Sequence, residues 1–151
     1  DEIPQALEIF FEASEGENYW KSNYLINLLF DAKSQSEHKR RSFWLSIVFN
    51  IFSEDRLKEC FFNLAYLGKC NQTLVQGIVA TSQCMLNKKV DELTIGEIAY
   101  FALIVKAPSR FFANYEVART KRNDLLKKVH SLGKISSKEL DQALSERVPK
   151  P

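Results

Sequence analysis

Polar residues at fixed spacing mark three helix starts in this sequence. Thr94 and Glu97 have the spacing of a capping box, in which a hydroxyl and a carboxylate three residues apart satisfy the free N–H groups of a helix start. Ser136 and Glu139 repeat that spacing. Ser53, which is followed by two acidic residues, has the pattern of an N-cap with an acidic first turn. A chain with this pattern is expected to fold mainly into helices.

The amino-acid composition also favours a helical fold. The 151 residues include only 5 Gly and 4 Pro but 11 Phe, 5 Tyr and 2 Trp, which disfavours a turn-rich all-β fold. We find no strand-period alternation long enough to predict a strand. A chain of this length buries a core without disulfide bonds. The sequence therefore predicts a single all-α domain over residues 1–148, followed by a short tail at residues 149–151.

The helix boundaries can be predicted locally. Pro4 and the apolar residues that follow it predict a first helix that stops at Gly16, so that Glu15 lies at its C-terminal end. The helix that begins after Ser53 is expected to run towards Gly68.

Further along the chain, we expect a loop around residues 69–73, then an apolar segment over residues 74–86 that is buried on most sides. The helix that begins at the Thr94 capping box carries an apolar run over residues 98–105 and should end before Pro108, and a long helix from about Tyr115 should end at Gly133.

The three cysteines, Cys60, Cys70 and Cys84, match no zinc-binding spacing, and an odd number cannot pair completely within one chain. We predict that they are buried thiols. No apolar run approaches the roughly 18–20 residues that cross a bilayer as a helix.

Charge excludes one class of partner. The net charge is +2, so the chain lacks the basic footprint of a nucleic-acid-binding protein. Basic residues gather on the long helix, where we expect a solvent-exposed face, with contact to anionic lipid headgroups or glycan carboxylates as the alternative. They are Arg119, Lys121, Arg122, Lys127 and Lys128.

The string from Asp91 to Phe111, D-E-L-T-I-G-E-I-A-Y-F-A-L-I-V-K-A-P-S-R-F, closely resembles the fifth motif of the glycosyltransferase domain of class A penicillin-binding proteins. The string A-R-T-K-R-N-D-L-L, which begins at Ala118, resembles the family's A-L-E-R-R-N-x-V-L. Near the start of the chain, residues 3–7 and 13–20 resemble the first motif, which places Glu15 on the family's catalytic glutamate.

The resemblance implies an all-α, lysozyme-like fold on the periplasmic, outer face of the bacterial cytoplasmic membrane. It also implies the polymerisation of lipid II into glycan strands. In that chemistry a glutamate accepts the proton of the acceptor hydroxyl. Cations, a second glutamate and often a divalent metal stabilise the departing lipid pyrophosphate.

The departures from the family fall on these polar positions. The third motif maps onto residues 38–50, where Ser42 replaces the second glutamate, His38 replaces an arginine and Asn50 replaces a later glutamate. The Gly-rich second motif is missing. Only 27 positions separate Glu15 from Ser42, roughly half the family's usual span, so we expect the small membrane lobe to be reduced or absent beside the large lobe.

We therefore expect a catalytically inactive domain that acts as a binding or scaffold module in the cell envelope, with Glu15 as a vestigial general base. We expect no metal, no cofactor and no nucleic acid. Its partner would be an envelope or cell-wall protein, or glycan or lipid II, and a membrane anchor outside this sequence remains open. The candidate binding residues are Tyr19, Trp20, Lys39, Arg40, Arg41 and Ser42.

Two alternatives stay open. The chain could be a minimal active glycosyltransferase that uses Glu15 as the base and a rearranged cation site at Lys39–Arg41. The basic cluster at residues 38–41 could instead be only the solvated start of a helix.

Overall fold

The computed structural model describes residues 4–15, 47–70 and 72–148 of the chain. Residues 47–51 are helical. A 3-10 turn spans Val90–Glu92. The other elements, in chain order, are α1 (Gln5–Glu15), α2 (Glu54–Leu64), β1 (Tyr66–Cys70), β2 (Thr73–Gln76), α3 (Ile78–Leu86), α4 (Ile95–Ile104), α5 (Pro108–Ala113), α6 (Tyr115–Ser131) and α7 (Ser137–Ser145).

The predicted helix starts are confirmed. The Ser53 hydroxyl accepts the Arg56 N–H at the start of α2. At α4 the Thr94 hydroxyl accepts the Glu97 N–H at 3.2 Å, and the Glu97 carboxylate accepts the Thr94 N–H at 2.8 Å. Ser136 and Glu139 form the same reciprocal pair at α7. These caps hold without tertiary contacts because each joins residues three positions apart.

The central element is α4. Eight of its ten residues are buried, as expected for a helix that is apolar on all sides and is covered by other elements. Helices α1, α6 and α7 pack against it. The predicted stop of α6 before Gly133 is also confirmed, whereas Gly16, the predicted stop of α1, lies outside the described residues.

An aromatic cluster joins α1 to α2. The Phe11 ring lies 5.2 Å from that of Phe61 and 5.4 Å from that of Phe62, in tilted and edge-to-face arrangements. All three rings are buried, so this cluster is part of the core.

A short antiparallel hairpin corrects the prediction that the chain has no strand. Helix α2 stops at Leu64 instead of running to Gly68, because Ala65 turns to extended backbone and its oxygen accepts the Gly77 N–H at 2.9 Å. Strands β1 and β2 then pair with Tyr66 opposite Gln76. Strands of five and four residues are too short to show a period of two in the sequence.

The hairpin also corrects the prediction that residues 74–86 are buried on most sides. Leu74, in β2, is 64% exposed. Burial is confined to other parts of that segment, such as Ile78 and Thr81 of α3.

A disulfide bond corrects the prediction that all three cysteines are buried thiols. Cys70, at the end of β1, is bonded to Cys84 in α3, with an S–S distance of 2.04 Å. Cys60 is a free, partly exposed thiol. The pairing arises because the hairpin returns the chain so that α3 passes the end of β1. The bond therefore ties the hairpin to the helix that follows it.

The basic face of α6 is also corrected at one position. Arg119, Lys121, Lys127 and Lys128 are exposed as expected, but Arg122 is fully buried. Its guanidinium is covered by the segment that follows α7, a contact that no local pattern in α6 could have indicated.

Candidate functional site

Helix α1 brings the predicted catalytic position to its last residue, Glu15. Pro4 directly precedes this helix, and apolar residues such as Leu7 and Phe10 anchor one face of it in the core. The other predicted site residues lie outside the described residues: Tyr19, Trp20, Lys39, Arg40, Arg41 and Ser42.

The C-terminal ends of α1 and α4 lie side by side. A small cleft of about 180 Å³ is lined by Ala13 and Ser14 of α1 and by Leu103 of α4. Lys106 follows one turn later, where its N–H donates to the oxygen of Leu103 at 3.1 Å. The first motif and the lysine of the fifth motif are therefore carried by neighbouring helix ends.

The turn from Lys106 to Arg110 is held firmly by its backbone. The Ala107 oxygen accepts the N–H groups of Arg110 at 3.1 Å and Phe111 at 3.2 Å, and Pro108 begins α5. A proline is favourable there because the first N–H of a helix has no intrahelical acceptor. Lys106 is half-buried, whereas Ser109 and Arg110 are exposed. The polar groups of the fifth motif thus stand at the protein surface on a fixed backbone.

Aromatic packing fixes this turn against the hairpin. The Phe112 ring lies directly against Gly68 of β1, where the backbone has φ +112° and a Cβ atom would overlap the ring. The buried side chain of Phe111 lies at the neighbouring position. The hairpin, which the sequence did not predict, is therefore part of what positions the fifth motif.

The other wall of the small cleft comes from α6. It consists of Lys121, Asp124, Leu125 and Lys128, so two ammonium groups and one carboxylate border the cleft near the end of α1. The volume is below the roughly 300 Å³ of most small-molecule sites, so the cleft can take an anionic group but does not enclose a disaccharide. Sequence reasoning treated Lys121 and Lys128 only as part of an exposed face, because their position beside α1 depends on helix packing.

The described residues do not provide a metal centre. No group of three or more His, Cys, Asp or Glu side chains among them is placed to hold a metal ion. Within the same part of the chain, every helix is too short or too polar to cross a bilayer.

Comparison with known proteins agrees with the motif resemblance. Residues 22–130, more than two thirds of the chain, match the transglycosylase family. Penicillin-binding protein 1A of Escherichia coli is 28% identical over 139 residues, which cover 90% of this chain and 16% of that protein. Penicillin-binding protein 1A of Neisseria flavescens is 34% identical over 98 residues, covering 64% of this chain and 12% of that protein.

The solved structures show the same fold. The crystal structure of penicillin-binding protein 1A from Haemophilus influenzae superposes with a TM-score of 0.60 over 97% of this chain and 16% of that chain, at 24% identity. The chain thus spans less than a fifth of the length of these relatives. The helical fold is that of a lysozyme-like transglycosylase domain. With the family match, the first-motif helix and the fifth-motif turn in place, the chain belongs to the transglycosylase family, as the transglycosylase domain of class A penicillin-binding proteins.

Proposed function

We propose that this transglycosylase domain no longer polymerises lipid II and serves as a binding or scaffold module in the bacterial cell envelope. One contrast carries the proposal. Core positions of the motif helices, such as Phe10 and Ile104, are buried as a preserved fold requires. The polar positions of the third motif have changed instead, with Ser42 where the family has its second glutamate.

The chemistry explains why this loss matters. A positioned general base contributes typically 10²–10⁴-fold to a reaction rate. Removing one group that stabilises a developing anion costs a further ~2.7–4 kcal/mol. A serine hydroxyl carries no charge, so Ser42 cannot replace a glutamate that orders cations around a pyrophosphate. Glu15 would then be a general base without the second glutamate that helps to stabilise the departing pyrophosphate.

The disulfide supports a place in the envelope. Disulfides such as Cys70–Cys84 form and persist in oxidising compartments, which include the bacterial periplasm. The partner that we propose is another envelope or cell-wall protein, or the glycan itself. The candidate contacts are the basic cluster Lys39–Arg41 and the aromatic residues Tyr19 and Trp20.

The second candidate function is a minimal active glycosyltransferase. It is favoured by one observation: the end of α1, which carries Glu15, borders the small cleft whose other wall holds Lys121 and Lys128. A general base at the end of a helix beside two ammonium groups is an arrangement that such an enzyme would need.

Lipid II polymerisation separates these two functions. The wild-type protein, Glu15→Gln and the matched exposed-site control Glu116→Gln are incubated with labelled lipid II, beside an active class A enzyme. We expect no glycan strands from any of the three variants of this chain. Strands made by the wild type and Glu116→Gln but not by Glu15→Gln would establish the active alternative and refute the inactive one.

Sedimentation with peptidoglycan tests whether the domain acts as a binding module. We expect the protein to sediment with purified peptidoglycan, and Arg40→Glu with Arg41→Glu to reduce the bound fraction about tenfold. The control pair Lys127→Glu with Lys134→Glu changes the net charge by the same amount, at one position in α6 and one position after its end. If the wild type stays in solution, the glycan is excluded as the partner, and equal loss in both pairs would exclude the basic cluster as the contact.

A further inference from the structure

A second and larger cleft lies on the other side of α6. Its volume is about 520 Å³, and it is formed between the first turns of α6, the end of α7 and the segment that follows α7. Arg119 of this cleft and Lys121 of the small cleft differ by about 200° around the helix, at 100° per residue. Helix α6 therefore separates the two clefts. The lining residues are Tyr115, Arg119, Leu144, Ser145, Glu146, Arg147 and Val148.

Two guanidinium groups border this cleft. Arg119 and Arg147 are exposed, and neither makes an ion pair with another residue in the described ranges 4–15, 47–70 and 72–148. Glu146 is the lining residue that carries a carboxylate, and its Oε2 accepts the Thr94 hydroxyl at 2.6 Å. That carboxylate is thus already engaged in holding the start of α4.

A third guanidinium lies buried behind the cleft. Arg122 donates through Nη1 to the main-chain oxygen of Glu146 at 3.0 Å, and through Nε and Nη2 to Asn123 Oδ1 at 3.1 and 2.9 Å. All of these acceptors are neutral. Burial lowers the pKa of Arg122, Glu146 opposes that shift, and Arg119 adds to it. The buried charge is therefore satisfied by hydrogen bonds but is not neutralised by a direct carboxylate contact.

The four charged groups at this cleft carry a net charge of +2. Arg119 and Arg147 line the cleft together with one carboxylate, Glu146, and the buried Arg122 lies behind it. The walls formed by Leu144 and Val148 are apolar. A cleft with charges of one sign and low-dielectric walls focuses its field on the space inside it. Guanidinium groups bind phosphate through two parallel hydrogen bonds. A doubly charged anion would match both the charge and the geometry of the donors.

We propose that this cleft binds a phosphate monoester dianion. Its volume lies within the roughly 300–1,000 Å³ of small-molecule sites. Arg119 and Arg147 would contact the phosphate oxygens, while Leu144 and Val148 would contact the organic part. The same chemistry occurs in soluble phosphorylated compounds and in a phosphatidate headgroup. The proposal does not depend on whether the domain polymerises lipid II.

Calorimetric titration with phenyl phosphate tests this proposal. The titration is done at pH 8, where the ligand is a dianion because the second pKa of a phosphate monoester is about 6. We expect saturable binding to the wild type and at least a tenfold weaker affinity in Arg119→Gln with Arg147→Gln. Lys127→Gln with Lys134→Gln, which removes the same charge outside both clefts, should bind as the wild type does. Phenyl sulfonate, a monoanion of similar shape, should bind more weakly than the phosphate.

Binding to vesicles of phosphatidylcholine with and without phosphatidate shows whether the phosphate ligand is a soluble compound or a lipid headgroup. Binding of phenyl phosphate that is weakened in the Arg119→Gln, Arg147→Gln double variant supports a soluble ligand. Binding only to phosphatidate vesicles, again lost in the double variant, supports the headgroup. Absence of both, or equal losses in the two double variants, would overturn the proposal. Circular dichroism of each variant confirms that the fold is kept.

Discussion

The Nη1 atom of Arg122 and the main-chain oxygen of Glu146 are joined by a 3.0 Å hydrogen bond across 24 residues of sequence. The Glu146 carboxylate in turn binds the Thr94 hydroxyl at the start of α4. This chain of contacts connects the middle of α6, the segment after α7 and the first turn of α4, so one arginine holds three elements together.

Replacing Arg122 should therefore destabilise the fold. We expect Arg122→Ala to lower the free energy of unfolding by about 3 kcal/mol, because it leaves buried acceptors unpaired and opens a cavity. Urea denaturation measures this change. The control Lys127→Ala, at an exposed position of the same helix, should stay within about 0.5 kcal/mol of the wild type. A similar small effect of Arg122→Ala would contradict the assigned role.

Gly68 should not tolerate a side chain. A Cβ atom there would overlap the Phe112 ring at a backbone φ of +112°, so Gly68→Ala combines backbone strain with a steric clash. Gly133 also has a positive φ, of +69°, but nothing lies within 4 Å of its Cβ position. We expect Gly133→Ala to cost about 1–2 kcal/mol and Gly68→Ala at least about 1 kcal/mol more by thermal unfolding. Equal costs would show that the ring does not constrain β1.

The disulfide should stabilise the hairpin and α3. The loop closed by Cys70 and Cys84 has a sequence separation of 14, for which the chain-entropy estimate is about 3 kcal/mol. We expect Cys70→Ser with Cys84→Ser to lose about that amount, and Cys60→Ser to lose little. Thiol titration of the denatured, unreduced wild type should find one free thiol. Three free thiols would refute the bond.

The contribution of Lys58 to the free energy of unfolding should depend on pH. Its ammonium lies 3.0 Å from Glu12, 3.7 Å from Glu8 and 3.6 Å from Glu54, and its side chain is only 14% exposed. Burial lowers the pKa of Lys58, but the hydrogen bond and the charge of Glu12, with the other two carboxylates, raise it above its ordinary value of 10.5.

A pKa that is raised in the folded state means that the charged lysine stabilises the fold below pH 10.5 and loses that effect as the pH rises further. We expect Lys58→Met to cost about 1 kcal/mol at pH 7, with the difference from the wild type narrowing above pH 10.5. Urea denaturation at several pH values measures it, with Lys127→Met as control. A difference that widens at high pH would contradict this sign.

Local features of the fold were predictable, and the contacts between distant segments were not. The starts of α4 and α7 follow from residues three positions apart, so the capping boxes at Thr94 and Ser136 could be recognised without a structure. The resemblance to the fifth motif likewise depends only on residue order. For the candidate site, the sequence predicted that Glu15 lies at a helix end but gave no reason to place Lys121 and Lys128 near that end of α1.

The sequence by itself determined the helical class, the starts of α2, α4 and α7 and the family, because capping, periodicity and motif spacing act within a few residues of each other. Only the tertiary structure decided that Cys70 reaches Cys84, that Arg122 is buried and that Phe112 covers Gly68. Each of these depends on which elements pack together once the apolar faces of the helices are buried. Burial of those faces follows from the free energy of the whole core and not from any single local pattern.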